Sequence, residues 1–156
     1  RGNVDTRIKK LESGEYDAIL LSKAGIDALG FNKKISQEFS VNELIPCAGQ
    51  GIIAIQCRNN DLEIKKLLED INDTYSRICA NTEREVLKIL EGDCETAIGI
   101  FSNINGNNIS LTAELFSIDG NHRYFVQNTK EINLAKELGR EVGEELKTKS
   151  QGNYKR

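Results

Sequence analysis

Apolar positions along the chain follow two rhythms, a helical one of three to four residues and one of continuous or alternating runs. Val4, Ile8 and Leu11 share a helical face, with Asn3 placed to cap its start and Gly14 to stop it. Tyr16-Asp17-Ala18-Ile19-Leu20-Leu21 reads as a buried strand, and residues 23–29 as a short helix closed by Gly30. Residues 31–45 carry no clear rhythm. Pro46-Cys47-Ala48-Gly49-Gln50-Gly51 is a glycine-rich bend leading into a second apolar run, Ile52–Cys57, which reads as another strand. A helix is expected over 61–71, with Ile64, Leu67, Leu68 and Ile71 on one face. Another is expected over 74–90, with Ile78, Cys79, Val86, Leu87 and Leu90 as its stripe and Gly92 as its stop. Three β-type segments follow near 97–104, 109–118 and 122–128, separated by the turn sequences Asn105–Asn108 and Asp119–Asn121. A last helix spans about 131–147, with Ile132, Ala135, Leu138, Val142 and Leu146 inward.

These elements imply a fold of class α/β plus α+β. Residues 1 to about 72 read as helix–strand–helix units of a parallel sheet. Residues 73–156 read as a small α+β domain, a three-stranded antiparallel meander against two helices. A chain of 156 residues, 38% hydrophobic and 29% charged, can bury a core of this kind. Its net charge of -3 gives no electrostatic footprint for nucleic acid or an anionic membrane surface. No apolar run approaches the ~20 residues that span a bilayer. The sequence opens at Arg1 inside a compact motif and contains no methionine, so it is read as the C-terminal portion of a longer protein.

Cys47, Cys57, Cys79, Cys94 and the single His122 lack the paired spacing of a zinc site, and no metal is expected. An even cysteine count leaves disulfides open, but a chain of this size does not need them. The preferred reading is a reduced, cytosolic protein with Cys47, Cys57 and Cys79 in or near the core. His122, after a hairpin turn, reads as a surface strand residue.

Three stretches are candidates for chemistry. In Arg1-Gly2-Asn3-Val4-Asp5-Thr6-Arg7 two guanidiniums flank a helix start, whose free N–H groups and dipole attract anions; such a pair suits carboxylates or phosphates. Solvated surface arginines are the bland alternative. In PCAGQG the glycines allow close backbone approach and Gln50 offers a hydrogen bond, although a crossover bend would use the same residues. In Leu90-Glu91-Gly92-Asp93-Cys94-Glu95-Thr96-Ala97-Ile98-Gly99 a thiol sits among three acids at a helix C-terminus. Helix end and acids both disfavour the thiolate, which argues against an activated nucleophile. An incidental loop thiol and a covalent attachment point remain.

RGNVDTR, GEYDAILLSKAGI, PCAGQG with IQCR, and EREVLKILEGDCETAIG occur in an order and spacing that resemble the hydroxymethylbilane synthase (porphobilinogen deaminase) family over almost the whole chain. The resemblance implies a transferase of tetrapyrrole (porphyrin, haem) biosynthesis, cytoplasmic and monomeric as the full-length protein. Such an enzyme condenses four molecules of porphobilinogen head to tail, with loss of ammonia, to hydroxymethylbilane. It implies a dipyrromethane cofactor joined by a thioether to Cys94. It also implies carboxylate-gripping roles for Arg1 and Arg7, and a cleft lined by Gly25 and Gln50. Of three implied domains, residues 1–51 would be the later half of the second. Residues 52–72 would return to the first, and 73–156 would form the third.

The sequence departs from the family pattern in three ways. Ala28 stands where a further substrate-binding arginine is expected, with Lys23 nearby. The cysteine loop has Asp93, Glu95, Thr96 and Ala97 in place of a sequence closer to GGCQVPIG. The family's catalytic aspartate belongs to the first domain, so no catalytic residue is assigned here and the chain alone is expected to be inactive. A non-catalytic anion-binding module and a degenerate relative that kept only the fold are the competing readings.

Overall fold

The computed structural model describes residues 2–93 and 95–155. They fall into two units, Arg1–Phe39 and Ser40–Arg156.

In the first unit the Val4-Ile8-Leu11 face forms helix α1, Val4–Glu12, and α2 spans Lys23–Ala28. Asn3 occupies the cap position of α1 in extended conformation, but its side chain makes no cap hydrogen bond. Ile8 and Ile26 are the buried apolar residues of the two helices. Gly30 closes α2 at φ +71°, the left-handed region that favours glycine. A 3-10 turn over Asn32–Lys34 follows.

The strands expected at 16–21 and 52–57, and with them a parallel sheet, do not form among the described residues. A strand needs a neighbour for its backbone N–H and C=O groups. Neither segment has one, and their apolar side chains stay open: Leu20 is 59% exposed and Ile53 90%.

In the second unit Asp61 caps α3, Leu62–Glu69, by accepting the Ile64 amide at 3.2 Å. The helix is where the rhythm placed it, but it has no buried residue, and Leu67 is 59% exposed. Asp73 caps α4, Thr74–Leu90, through the Ser76 amide at 2.6 Å. The end of α4 differs in detail from the expected glycine stop. Glu91 takes the left-handed conformation, φ +51°, and the Gly92 amide then reaches back to Leu87 O at 2.9 Å.

The expected meander forms as β1, Ile98–Asn105, β2, Asn108–Phe116, and β3, Arg123–Glu131, in the antiparallel order β1-β2-β3. The Gly106–Asn107 loop closes the first hairpin, with Asn105 opposite Asn108. The register brings Ile100 opposite Ala113, and Ala113 opposite Val126. One face of the sheet is therefore apolar, and α4 and α5, Ala135–Ser150, cover it. Val86, Leu90, Leu111, Leu138 and Leu146 are fully buried there. The two helices approach at glycines. A Cβ on Gly139 would stand 2.4 Å from Thr82 O, and one on Gly143 2.8 Å from Ile89 Cβ.

Candidate functional site

The PCAGQG bend is built by contacts that its own sequence does not announce. Ile100 of β1 donates its amide to Pro46 O at 2.8 Å, which lays the bend against the sheet edge. A Cβ at Gly99 would stand 2.6 Å from Ile45 O, so only glycine permits that approach. Gly49 and Gly51 take φ of +73° and +82°. Glu83 of α4 holds the bend from behind. Its carboxylate accepts the Gly49 amide at 2.7 Å and the Ser102 amide and hydroxyl at 2.9 and 2.8 Å. The residue is 4% exposed, and these three donors satisfy it.

A cavity of about 540 Å³ lies beside this anchor, lined among others by Cys47, Gln50, Tyr75, Cys79, Ser102 and Gly106. Gln50 is exposed. Cys47 is exposed rather than in the core, because the bend that carries it lies at the surface. Cys57 and Cys79 are partly buried, as near-core thiols should be. His122 is exposed just ahead of β3.

Cys94 and Arg1 lie outside the described residues. The loop on either side of Cys94 is defined. Asp93 Oδ1 accepts the amides of Glu95 and Thr96 at 2.9 and 3.1 Å and the Thr96 hydroxyl at 3.1 Å. The Glu95 amide first, then the Thr96 hydroxyl, hold the Asp93 carboxyl below the usual carboxylate range. Glu91 is likewise held low, chiefly by its hydrogen bond with Lys155. Two of the three acids therefore turn their charge toward donors of their own.

In the first unit, Arg7 is partly buried on α1, and its Nη2 donates to Leu20 O at 3.0 Å. That bond fixes the guanidinium plane and leaves other N–H groups for an anion. Gly25 is partly buried on α2, where an added Cβ would meet Val4 Cγ2 at 3.6 Å. Arg7 and Gly25 thus belong to one α1–α2 arrangement. Lys23, the neighbour available to stand in for an arginine at position 28, is paired with Glu38 at 2.9 Å. Its ammonium pKa is raised, first by that hydrogen bond.

Sequence reasoning missed Glu83 as a structural residue. Its signal is visible in hindsight: it lies four residues after Cys79 and three before Val86, an acid on the apolar stripe of α4. The C-terminal residues Tyr154 and Lys155 were also missed. Their contacts with Leu90 and Glu91 span 64 residues, and no local pattern encodes them.

Comparison with known proteins gives a consistent answer over nearly the whole chain. Residues 1–66 match the family model described as porphobilinogen deaminase, dipyromethane cofactor binding domain, and residues 77–148 match porphobilinogen deaminase, C-terminal domain. A porphobilinogen deaminase of Desulforamulus reducens is 40% identical over 146 residues, 94% of this chain and 47% of the relative. One from Exiguobacterium is 38% identical over 147 residues, 94% of this chain and 48% of the relative. A probable porphobilinogen deaminase of Nitrosopumilus maritimus is 40% identical over 149 residues, 96% and 48% of the two chains. The chain spans about half the length of the curated relatives it matches.

Proposed function

The chain belongs to the porphobilinogen deaminase family, and from that premise we propose that it is the C-terminal portion of a transferase of tetrapyrrole synthesis. The full-length enzyme would condense four porphobilinogen molecules head to tail, releasing ammonia at each addition, to give hydroxymethylbilane. The observation that carries this reading is the run of two family models in succession, a cofactor-binding domain over residues 1–66 and a C-terminal domain over 77–148. Residues 1–51 are assigned to the later half of a second domain, 52–72 to a segment returning to a first, and 73–156 to the third. The three-stranded α+β unit suits that last assignment. A monomeric, cytoplasmic enzyme is part of the same proposal.

The residues suit a dipyrromethane, whose side chains are carboxylates. Arg7 is held by a carbonyl and has no acidic partner among the described residues, so it is available to a ligand carboxylate. Gln50 is exposed beside the cavity and can donate or accept. Asp93 is occupied by its own loop, which lessens the repulsion that an acidic loop would offer a polycarboxylate. When bound, the group supplies the primer on which the chain of pyrroles grows. We assign Cys94 as its thioether attachment residue, Arg7, Gly25 and Gln50 to its binding, and Arg1 with Arg7 to the substrate.

General acid–base chemistry on the pyrrole nitrogens and the departing amine requires a positioned proton carrier. Family resemblance places that carrier, an aspartate, in the first domain, so the chain by itself should not turn over. Incubating porphobilinogen with the full-length protein tests the proposal. Hydroxymethylbilane and ammonia should form with the wild type and not with Cys94→Ser. Full activity of Cys94→Ser would overturn the assignment of that cysteine, and no product from the wild type would favour the degenerate relative.

A further inference from the structure

Gln50 stands at the surface of the PCAGQG bend between Gly49 and Gly51, both at left-handed φ. Glycine loses more backbone freedom on ordering than any other residue, so such a turn keeps one place only if bonds hold it there. Two bonds shape the turn from within: the Gln50 amide donates to Cys47 O at 3.0 Å, and the Ile52 amide to Gly49 O at 3.1 Å. Two others tie it to the rest of its unit. The Ile100 amide of β1 donates to Pro46 O at 2.8 Å, and the Gly49 amide donates to Glu83 Oε2 on α4 at 2.7 Å. The second of these lies one residue from Gln50. Glu83 is 4% exposed, and its Oε1 accepts the Ser102 amide and hydroxyl at 2.9 and 2.8 Å. With both oxygens engaged, its influence on a ligand passes through the bend.

We propose that Glu83 is a positioning residue for Gln50: its carboxylate holds the Gly49 amide and so fixes where the Gln50 carboxamide is presented to the dipyrromethane. The proposal rests on reading Gln50 as a binding residue for that group. The role needs a carboxylate, because the side chain must accept at both ends. A carboxamide of the same shape accepts only with Oε1, while Nε2 is a donor. In Glu83→Gln, an Oε1 turned to the two Ser102 donors leaves Nε2 facing the Gly49 N–H, donor against donor. The bend then loses its tie beside Gln50 while Ser102 keeps its partner.

Two readouts on the full-length protein test this. The first is hydrogen exchange at the Gly49 amide, followed by NMR. In the wild type it should exchange at least about tenfold more slowly than an open chain, and in Glu83→Gln that protection should be lost. An unprotected Gly49 amide in the wild type, or equal protection in the two proteins, overturns the proposal. The second is kcat/KM for ammonia release from porphobilinogen by the holoenzyme. Gln50→Ala and Glu83→Gln should each lower it about three- to tenfold, the scale of one hydrogen bond. The double variant should be no worse than Gln50→Ala alone, because Glu83 acts through that side chain. Multiplied effects in the double variant, or no effect of Glu83→Gln, overturn the positioning role while leaving Gln50 as a binding residue. Wild-type activity in Gln50→Ala would instead sink the binding reading of Gln50, and the proposal with it. Gly139→Ala is the control for lost stability: it should retain the wild-type kcat/KM, and a matching fall there would also overturn the positioning role.

Discussion

Glu83 shows how one side chain can decide the position of a functional bend. Its carboxylate joins three elements, accepting from Gly49 in the bend and from Ser102 in β1 while riding on α4. Glu83→Ala leaves the buried Ser102 donors and the half-buried Gly49 amide without that partner, at a cost of about 3 kcal/mol. Urea unfolding of the full-length protein should show a loss of that order, and a loss under 1 kcal/mol would contradict the anchoring role. At this scale the sequence was half legible. That Glu83 lies on the buried stripe can be read from its spacing. Its partners cannot, because they lie 34 and 19 residues away. Cys47 was misread for a related reason: residue type favours burial, but the bend's place at the surface decides its exposure. Ala28 leads to a further residue-scale prediction. Lys23 is already paired with Glu38, so Ala28→Arg should lower the KM for porphobilinogen several-fold by restoring a carboxylate grip. An unchanged KM would mean that position 28 does not face the substrate.

Helices α4 and α5 pack so closely at Gly139 and Gly143 that a methyl group has no place. Alanine in a helix is ordinarily more favourable than glycine by about 1 kcal/mol. Here the neighbour at Gly139 is a backbone oxygen, which cannot turn aside, so Gly139→Ala should instead destabilise by about 1–3 kcal/mol. A raised melting temperature would contradict this packing. The turn between β2 and β3 makes a pH-dependent contribution. Asp119 is depressed from 3.8 to about 2, first by the Ser117 hydroxyl and then by the Asn121 amide. A depressed carboxylate stabilises the fold above its unfolded pKa, and that contribution fades as pH falls from 3.8 toward about 2. The Asn121 amide resonance should therefore titrate with a midpoint near 2, and a midpoint near 3.8 would show the turn bonds to be absent. Local rhythm was enough for the helices and for the meander, whose turns are short and whose strands adjoin in sequence. It was not enough at 16–21 and 52–57, where being a strand depends on a neighbour that the described residues do not supply.

Across the whole molecule, two features point the same way. The chain covers about half the length of its relatives, and the stretch from Ile52 to Ile71 leaves large apolar side chains in water, among them Ile53 at 90%, Leu62 at 75% and Ile71 at 66% exposed. We propose that these side chains are covered by another part of the full-length protein. The isolated chain should therefore bind a hydrophobic dye such as ANS strongly and elute above its monomer size, whereas the full-length protein should do neither. A monomeric, dye-silent fragment would count against residues 52–72 belonging with a missing domain. Cys94 is proposed above as the attachment residue of the dipyrromethane. Intact mass of the full-length protein made in the presence of porphobilinogen tests it most directly. The wild type should show a mass raised by one dipyrromethane, mapped to the Cys94 peptide, and the Cys94→Ser variant should be unmodified. An unmodified wild type, or an adduct that survives Cys94→Ser, would contradict it.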